Sequence, residues 1–514
     1  MRLVNLLNET EVLEEFRPLD NLDIERITND SRQIHAKALY IAIPGTHVDG
    51  HRFLSDVKAR GGEAAIVERI DPSVPIAQYR VVNSRQAWSS LSAAYYGHPT
   101  RDLFVYGITA TNGKTTISFM LDEIIRAAGI TSGLIGTVKI RIGREVIPAA
   151  MTTPESFELQ GYFARMKEEG VNTVTMEVSS SALEQFRCAD VHFDVVSFNN
   201  FSREHIDQHG SLEAYWEAKA SLITGARAET ATIINLSDPA IARLEGKSSG
   251  QEVTYSLTQG VGDIYPEAVD LSGDSPRFTL VISRAIVLRG SQPLTIEPQK
   301  IPIELSTPGQ HTVANAVACC AMALCQGIDR AAIQMGLKNF KGLERRFELI
   351  YDDQFKIIDD HFANMNNIET SLKSLSSLHY RKLRMVYAIR GNRGVTVNRE
   401  NVQTLARWLP LLNLDEIIVT ETLGEVTDKD RVLPAEKAVF FEEIEKTPLK
   451  VTFRAAMDEA LQYALSVVEP GDIIFLAGTQ GMDLGGRKIL TMLAHRHPER
   501  AEEILRPMTG RVCG

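Results

Sequence analysis

Hydrophobic residues in this chain gather in short runs, and between the runs they recur at the spacing of amphipathic helices. Over residues 1 to about 100, the runs at 38–43, 64–67 and 79–82 read as strands with helical stretches between them, a small α/β unit. From about 101 to 340 strands and helices alternate, the pattern of a parallel sheet covered on both faces. Strand candidates there include 104–109, 171–178, 195–199 and 232–235. Residues 245–305 are richer in β-branched residues, Gly and Ser, which predicts a β insertion. From about 341 the alternation restarts, with strands at 355–358, 385–389, 416–420 and 472–477 and amphipathic helices between them. The expected fold class is α/β in three domains, 1–100, 101–340 and 341–514. The central one is a doubly wound parallel sheet and the last is Rossmann-like.

The junction at 104–116 carries chemistry. An apolar run, Phe104-Val105-Tyr106-Gly107-Ile108, passes into Thr109-Ala110-Thr111-Asn112 and then Gly113-Lys114-Thr115-Thr116. The following helix is drawn by Ile117, Met120, Leu121, Ile124, Ile125 and Ala128, one apolar stripe closed by Gly129. A small-residue loop between strand and helix grips the phosphates of a nucleoside triphosphate, because backbone N–H groups and the helix dipole point at the anion. Lys114 would neutralise the outer phosphates and the Thr115 hydroxyl would hold Mg²⁺. The generic phosphate-loop pattern asks for glycine at position 108, which holds isoleucine, with Gly107 one residue too early.

At 514 residues the chain is long enough for about three domains, each with its own core. The net charge of −11 argues against a general nucleic-acid binder while allowing a local basic pocket. No apolar stretch is long enough to span a membrane, and Met1-Arg2-Leu3-Val4 has no signal-peptide pattern, so a cytoplasmic protein is expected. The cysteines at 188, 319, 320, 325 and 513 show no paired metal spacing. Cys319, Cys320 and Cys325 fall in an Ala-rich helical run, as small core residues do.

Three further segments stand out. Thr175-Met176-Glu177-Val178-Ser179-Ser180 ends a strand on a carboxylate, where open α/β sheets collect ligands. Phe198-Asn199-Asn200 leads into a polar loop through Arg203-Glu204-His205-Ile206-Asp207-Gln208-His209-Gly210. The helix around Tyr215-Trp216-Glu217-Ala218-Lys219 carries one lysine. Taken singly, Glu177 reads equally as a helix cap or ion-pair partner, His205 as a satisfied polar side chain, and Lys219 as part of a solvated helix face.

Together these segments resemble the Mur ligase superfamily, the ATP-dependent amide-forming enzymes of cell-wall precursor synthesis and their folylpolyglutamate-synthase relatives. The likeness is nearest to the MurE type, which adds the third amino acid to UDP-N-acetylmuramoyl-dipeptide. Residues 109–116 match T-G-T-N-G-K-T-T with Ala110 for Gly, and 176–183 match M-E-V-S-S-H-A-L with Ser181 for His. Residues 203–210 follow R-D-H-L-D-x-H-G. The resemblance implies that Thr111, Asn112, Gly113, Lys114, Thr115 and Thr116 bind ATP, and that Thr115, Glu177 and His205 hold Mg²⁺. It matches Lys219 to a lysine that the family carbamylates, so that it supports a second Mg²⁺. Lys114, Glu177, His205 and Lys219 are then the catalytic set. Asp30-Ser31-Arg32 and Asp49-Gly50-His51 look like uridine-nucleotide segments, so Ser31, Arg32, Asp49 and His51 are substrate contacts. Thr152, Thr153, Ser179 and Arg187 match contacts to the muramoyl substrate. The implied partners are small molecules, with neither nucleic acid nor membrane, and the implied state is a monomer.

The resemblance covers the whole chain and thins towards its end. Asp360, an implied nucleotide contact, is kept from the family's D-Y-A-H-T-P, but the His and Pro are not. Thr420-Glu421-Thr422-Leu423-Gly424-Glu425 stands in place of D-N-P-R, and Gly478-Thr479-Gln480-Gly481-Met482-Asp483 in place of G-K-G-H-E. Arg393, in Gly391-Asn392-Arg393-Gly394, matches an arginine facing ATP phosphate. Arg346, in Arg345-Arg346-Phe347-Glu348 at the G-R-x-E hinge, and Asn315, near the adenine pocket, are implied nucleotide contacts; either is equally well structural. These changes leave the incoming amino acid open. The alternatives are a ligase of this type with another acceptor (a pseudomurein precursor, polyglutamate or another peptide-like metabolite) and a nucleotide-binding protein without turnover.

Overall fold

The first apolar runs build a five-stranded sheet. Its strands are β1 (Glu14–Phe16), β2 (Arg26–Thr28), β3 (Ala38–Ile41), β4 (Ala64–Val67) and β5 (Ala77–Arg80), in the order β1-β5-β4-β3-β2. Only β1 runs antiparallel. Every residue of β3 and β4 is buried, as strands covered on both faces require. The third run starts and ends two residues earlier than its apolar pattern suggested, and Val82 is exposed. These assignments come from a computed structural model, which describes all residues except 20, 46–47, 204–208, 272–274, 290–292, 308, 510 and 512–514.

The second sheet has eleven strands, and its middle positions the chemistry. Its strands are β6 (Phe104–Thr109), β7 (Ser132–Ile135), β8 (Lys139–Ile142), β9 (Glu145–Pro148), β10 (Thr173–Glu177), β11 (Val195–Phe198), β12 (Ala231–Asn235), β13 (Gln251–Tyr255), β14 (Ile264–Asp270) and β15 (Arg277–Ile282). After a two-stranded ribbon of β16 (Ile286–Leu288) and β17 (Leu294–Ile296), β18 (Gln299–Glu304) completes it in the order β18-β15-β14-β13-β12-β11-β6-β10-β7-β8-β9. The β insertion expected at 245–305 is thus present as β13 to β18. Strands β10 and β11 flank β6 in parallel, and the chain leaves β6 towards β7 on one side while β11 to β13 lie on the other. The carboxyl ends of β6, β10 and β11 therefore meet where the strand order reverses, the crevice in which such sheets bind ligands.

Helix Lys114–Ala127 buries Ile117, Met120, Leu121, Ile124 and Ile125 completely, and Gly129 follows it with φ +75°. Helix Gln310–Cys325 buries Cys319, Cys320 and Cys325, in agreement with their reading as core residues. All of this, residues Met1–Leu305 and Thr312–Phe340, forms one compact unit.

Ser306–His311 and Lys341–Gly514 form the other. Its six strands are β19 (Glu348–Asp352), β20 (Lys356–Asp360), β21 (Leu383–Ala388), β22 (Glu416–Thr420), β23 (Lys450–Phe453) and β24 (Ile473–Ala477), in the order β19-β20-β24-β21-β22-β23. All but β19 pair in parallel. The four strands read from sequence are all there. The two that were missed, β19 and β23, are the edges, and only Ile350 among their residues is fully buried.

Candidate active site

The loop after β6 is held by its neighbours before any ligand arrives. Thr111 N–H donates to the Asn200 carbonyl at 2.9 Å. The Asn200 side chain accepts from Asn112 N–H at 2.9 Å and donates back to the Asn112 carbonyl at 2.8 Å. The Thr111 hydroxyl meets Ser202 N–H at 3.0 Å and the Tyr215 hydroxyl at 3.3 Å. Gly113 takes φ +83°, and a Cβ there would stand 3.1 Å from the Asn315 Oδ1, so Asn315 lies against the loop. Ala110 keeps a negative φ and is fully buried, so its extra methyl is accommodated without backbone strain.

Two lysines converge on the Ala110 carbonyl. Lys114 Nζ donates to it at 2.8 Å and to the Thr111 carbonyl at 3.2 Å. Lys219 Nζ also donates to it at 2.8 Å, with the Thr109 hydroxyl at 3.3 Å and the Tyr215 ring 5.1 Å away. Helix Leu212–Thr224 turns Lys219 inward, where it is 1% exposed, so the solvated-face reading fails. Two ammonium groups on one oxygen repel each other at low dielectric, an arrangement that favours an added anion between them.

Glu177, at the end of β10, is fully buried beside the loop. One carboxylate oxygen accepts from the Thr115 and Thr137 hydroxyls, each at 2.9 Å, and the other from Thr137 N–H at 2.9 Å. A Cβ on Gly136 would come within 2.3 Å of that second oxygen, so the turn after β7 must be glycine to let the carboxylate in. Hydroxyl and carboxylate oxygens are the donors a hard divalent cation takes, and the pair Thr115–Glu177 fits Mg²⁺. Thr116 is half-buried in the first helical turn. His205 lies outside the described residues. Its neighbour His209 is buried against Ser180 Oγ at 3.0 Å and Glu184 at 3.2 Å.

The predicted muramoyl-contact residues join this site. Thr152 meets the Thr137 hydroxyl at 3.1 Å. The Thr153 hydroxyl donates to the Glu177 carbonyl at 2.8 Å and accepts from Ser179 N–H at 3.1 Å. Arg187 donates to the Thr153 carbonyl at 3.2 Å and pairs with Glu155 at 2.9 Å. The uridine-type residues sit at the first sheet instead. Asp30 caps the turn Ser31–Gln33, in which Ser31 is half-buried, and it pairs with the exposed Arg32. Asp49 accepts from His51 N–H at 3.0 Å and meets the ring Nδ1 at 2.7 Å. Burial acts to raise the Asp49 pKa, but hydrogen bonds from His51 and Arg69 outweigh it and hold the carboxyl at about 2.

In the second unit the three predicted nucleotide contacts are engaged locally. Asp360, buried at the end of β20, accepts from Phe347 N–H at 2.8 Å, Phe362 N–H at 3.2 Å and the Ser371 hydroxyl at 2.7 Å. Burial raises its pKa against these bonds and the charge of half-buried Arg346. Arg393 pairs with Asp430 at 2.8 Å. The N–H groups of Asn392, Arg393 and Gly394 all donate to the Glu436 carboxylate at 2.7–2.8 Å. In the stretch that stands in place of D-N-P-R, Glu421 meets Lys437 at 3.2 Å.

Residues 23–96 match the Mur ligase family catalytic domain, 108–323 the Mur ligase middle domain, and 345–480 the Mur ligase glutamate ligase domain. The UDP-N-acetylmuramoyl-L-alanyl-D-glutamate–2,6-diaminopimelate ligase of Geobacillus kaustophilus is 32% identical over 465 residues, which are 89% of this chain and 90% of that protein. This chain belongs to the Mur ligase family. It is an ATP-dependent ligase that forms a carbon–nitrogen bond. A solved structure bearing the same ligase name superposes with a TM-score of 0.64 at 23% identity, covering 93% of both chains. The MurF ligase of Thermotoga maritima, solved in complex with ADP, gives 0.58 at 17% identity, covering 94% of this chain and 100% of that one. These two share the fold.

Some residues of this Mur ligase's site escaped the sequence reading. Asn200 has no role in the family resemblance, and Thr137 and Gly136 lie outside its motifs. Their signal was available in part: Ser132-Gly133-Leu134-Ile135 is a short apolar run ending in Gly136-Thr137, as a strand delivering a hydroxyl to the crevice would. Glu436 left no local signal, because it meets its three N–H partners from more than forty positions away.

Proposed function

We propose that this ligase adds an amino acid to a UDP-N-acetylmuramoyl peptide in the cytoplasm, with ATP converted to ADP and phosphate, in cell-wall precursor synthesis. The observation that carries the reading is the cluster of Lys114, Lys219, Thr115 and Glu177 around the loop after β6. A carboxylate is a poor electrophile, so the acceptor's carboxylate first attacks the γ-phosphorus of ATP and becomes an acyl phosphate. Residues Thr111–Thr116 hold the phosphates through backbone N–H groups, and Lys114 stabilises charge as the phosphoryl group moves. Asn315, Arg346 and Asp360 serve the nucleotide, and Arg393 its phosphates. Thr115, Glu177 and His205 would hold Mg²⁺, with carbamylated Lys219 supporting a second. The metal would neutralise the charge of the phosphates. Ser31, Arg32, Asp49 and His51 hold the uridine nucleotide, and Thr152, Thr153, Ser179 and Arg187 the muramoyl end. The amine then attacks the acyl carbonyl, and phosphate leaves from the tetrahedral intermediate as the amine gives up its proton.

Carbamylation of Lys219 has a physical motive. Adding CO₂ turns one of two cations on a shared carbonyl into an anion, which relieves their repulsion. Lys219→Ala is expected to abolish ligation, and short carboxylic acids to restore part of it by standing in for the carbamate. Unchanged activity in the variant contradicts the role. The three functional parts of the reading are 1–100 for the uridine nucleotide, 101–340 for ATP, and 341–514 for the incoming amino acid.

A further inference from the structure

Arg345 occupies a position where glycine would be easiest. Its φ is +56°, in the left-handed region, and it stands at the glycine of the G-R-x-E pattern. A side chain kept there against backbone preference must be fixed by its surroundings. The guanidinium is buried, with the residue 3% exposed. Nε donates to Asp359 Oδ1 at 3.2 Å. The other contacts fall on one loop: Nη1 donates to the Thr479 carbonyl at 3.1 Å and to the Asp483 carboxylate, and Nη2 to the Gly478 carbonyl.

That loop, residues 478–483, leaves the carboxyl end of β24, between β20 and β21, on the edge where such sheets bind ligands. It has little room to shift. A Cβ on Gly478 would stand 2.8 Å from the Ala388 Cβ, and one on Gly481 would stand 3.1 Å from the Thr422 Oγ1. It is also the stretch that replaces G-K-G-H-E, so an arginine in a glycine's place and an aspartate in a rewritten loop meet each other. The rigid fork of arginine can hold two carbonyls and a carboxylate at once, which lysine cannot.

We propose that Arg345 is a positioning residue that fixes the 478–483 loop as a wall of the site for the incoming amine, so that amine selection depends on the Arg345–Asp483 pair. The proposal rests on the ligase reading above. Its test is steady-state phosphate release by the full chain, with ATP and UDP-N-acetylmuramoyl-dipeptide saturating and the amine varied over the amino acids and diaminopimelate. Arg345→Gly should raise the KM for the preferred amine about tenfold or more and reorder the amines, with the KM for ATP changed less than about twofold. Arg345→Lys should fall between. Asp483→Asn, at a side chain 41% exposed, should move amine KM the same way, and adding it to Arg345→Gly should cost little more. An active wild type whose Arg345→Gly and Asp483→Asn variants keep amine KM and ranking overturns the proposal. So does a parallel rise in amine and ATP KM. Should Arg345→Gly fail to fold, an unchanged Asp483→Asn overturns it alone. A wild type inactive with every amine overturns the ligase reading itself, and this proposal with it.

Discussion

At the residue scale the site depends on a carboxylate admitted by an absent side chain. Glu177 reaches Thr115 and Thr137 only because Gly136 has no Cβ. Gly136→Ala should therefore displace the carboxylate and lower kcat/KM by about a hundredfold, the scale on which ångström misplacements act. Steady-state phosphate release reads this, and a near-wild-type rate would contradict the cradle. Lys114→Ala should remove ATP turnover, since no other group on the loop brings a cation to the outer phosphates from that turn. Full retention in the same assay would refute the phosphate-loop assignment. The residues of the loop itself were legible in the sequence because they are consecutive. Thr137 and Asn200 were not, since their role exists only when β7 and β11 lie two and one strands from the loop. Lys219 shows the limit from the other direction: residue type alone suggests a surface lysine, yet Lys219 shares the buried face of its helix with Tyr215, Leu222 and Ile223 and donates to the Ala110 carbonyl.

At the element scale, helix Lys114–Ala127 depends on helix Arg330–Asn339 for its outer cover. Gly336 permits the approach, because a Cβ there would lie 2.4 Å from the Ile124 Cα. Gly336→Ala should cost about 1–3 kcal/mol by overpacking and lower the unfolding temperature in calorimetry. No change would mean that the helices can part at no cost. In the second unit, burial pushes the Glu348 carboxyl from 4.5 up to about 7, only partly countered by Arg511 and the Arg345 N–H. The folded state thus binds this proton more tightly than the unfolded one. Its contribution to stability is greatest below about pH 4.5 and declines as pH rises to about 7. Glu348→Gln should flatten that part of the stability–pH curve, which unfolding temperatures from pH 4.5 to 7 will read. An unaltered slope would contradict the burial effect. Interior strands were legible because they are uninterrupted apolar runs. Edge strands β19 and β23, with one face or less in the core, carry too little pattern to be seen.

At the scale of the whole molecule, family membership shows an ATP-dependent ligase, while residues 420–425 and 478–483 are the stretches that depart from the family's D-N-P-R and G-K-G-H-E. Ala110, which stands for Gly in T-G-T-N-G-K-T-T, is accommodated at a negative φ. Sequence alone left open both the incoming amino acid and the acceptor, and the residues proposed for the acceptor are scattered from Ser31 to Arg187 rather than gathered in one motif. The decisive measurement is phosphate release from ATP by the full chain, with UDP-N-acetylmuramoyl-dipeptide or free glutamyl peptides as acceptor, each crossed with the twenty amino acids and diaminopimelate. Release should require the uridine-linked acceptor and rise with one added amino acid. Stimulation by free glutamyl peptides, with none from the uridine-linked acceptor, would contradict it.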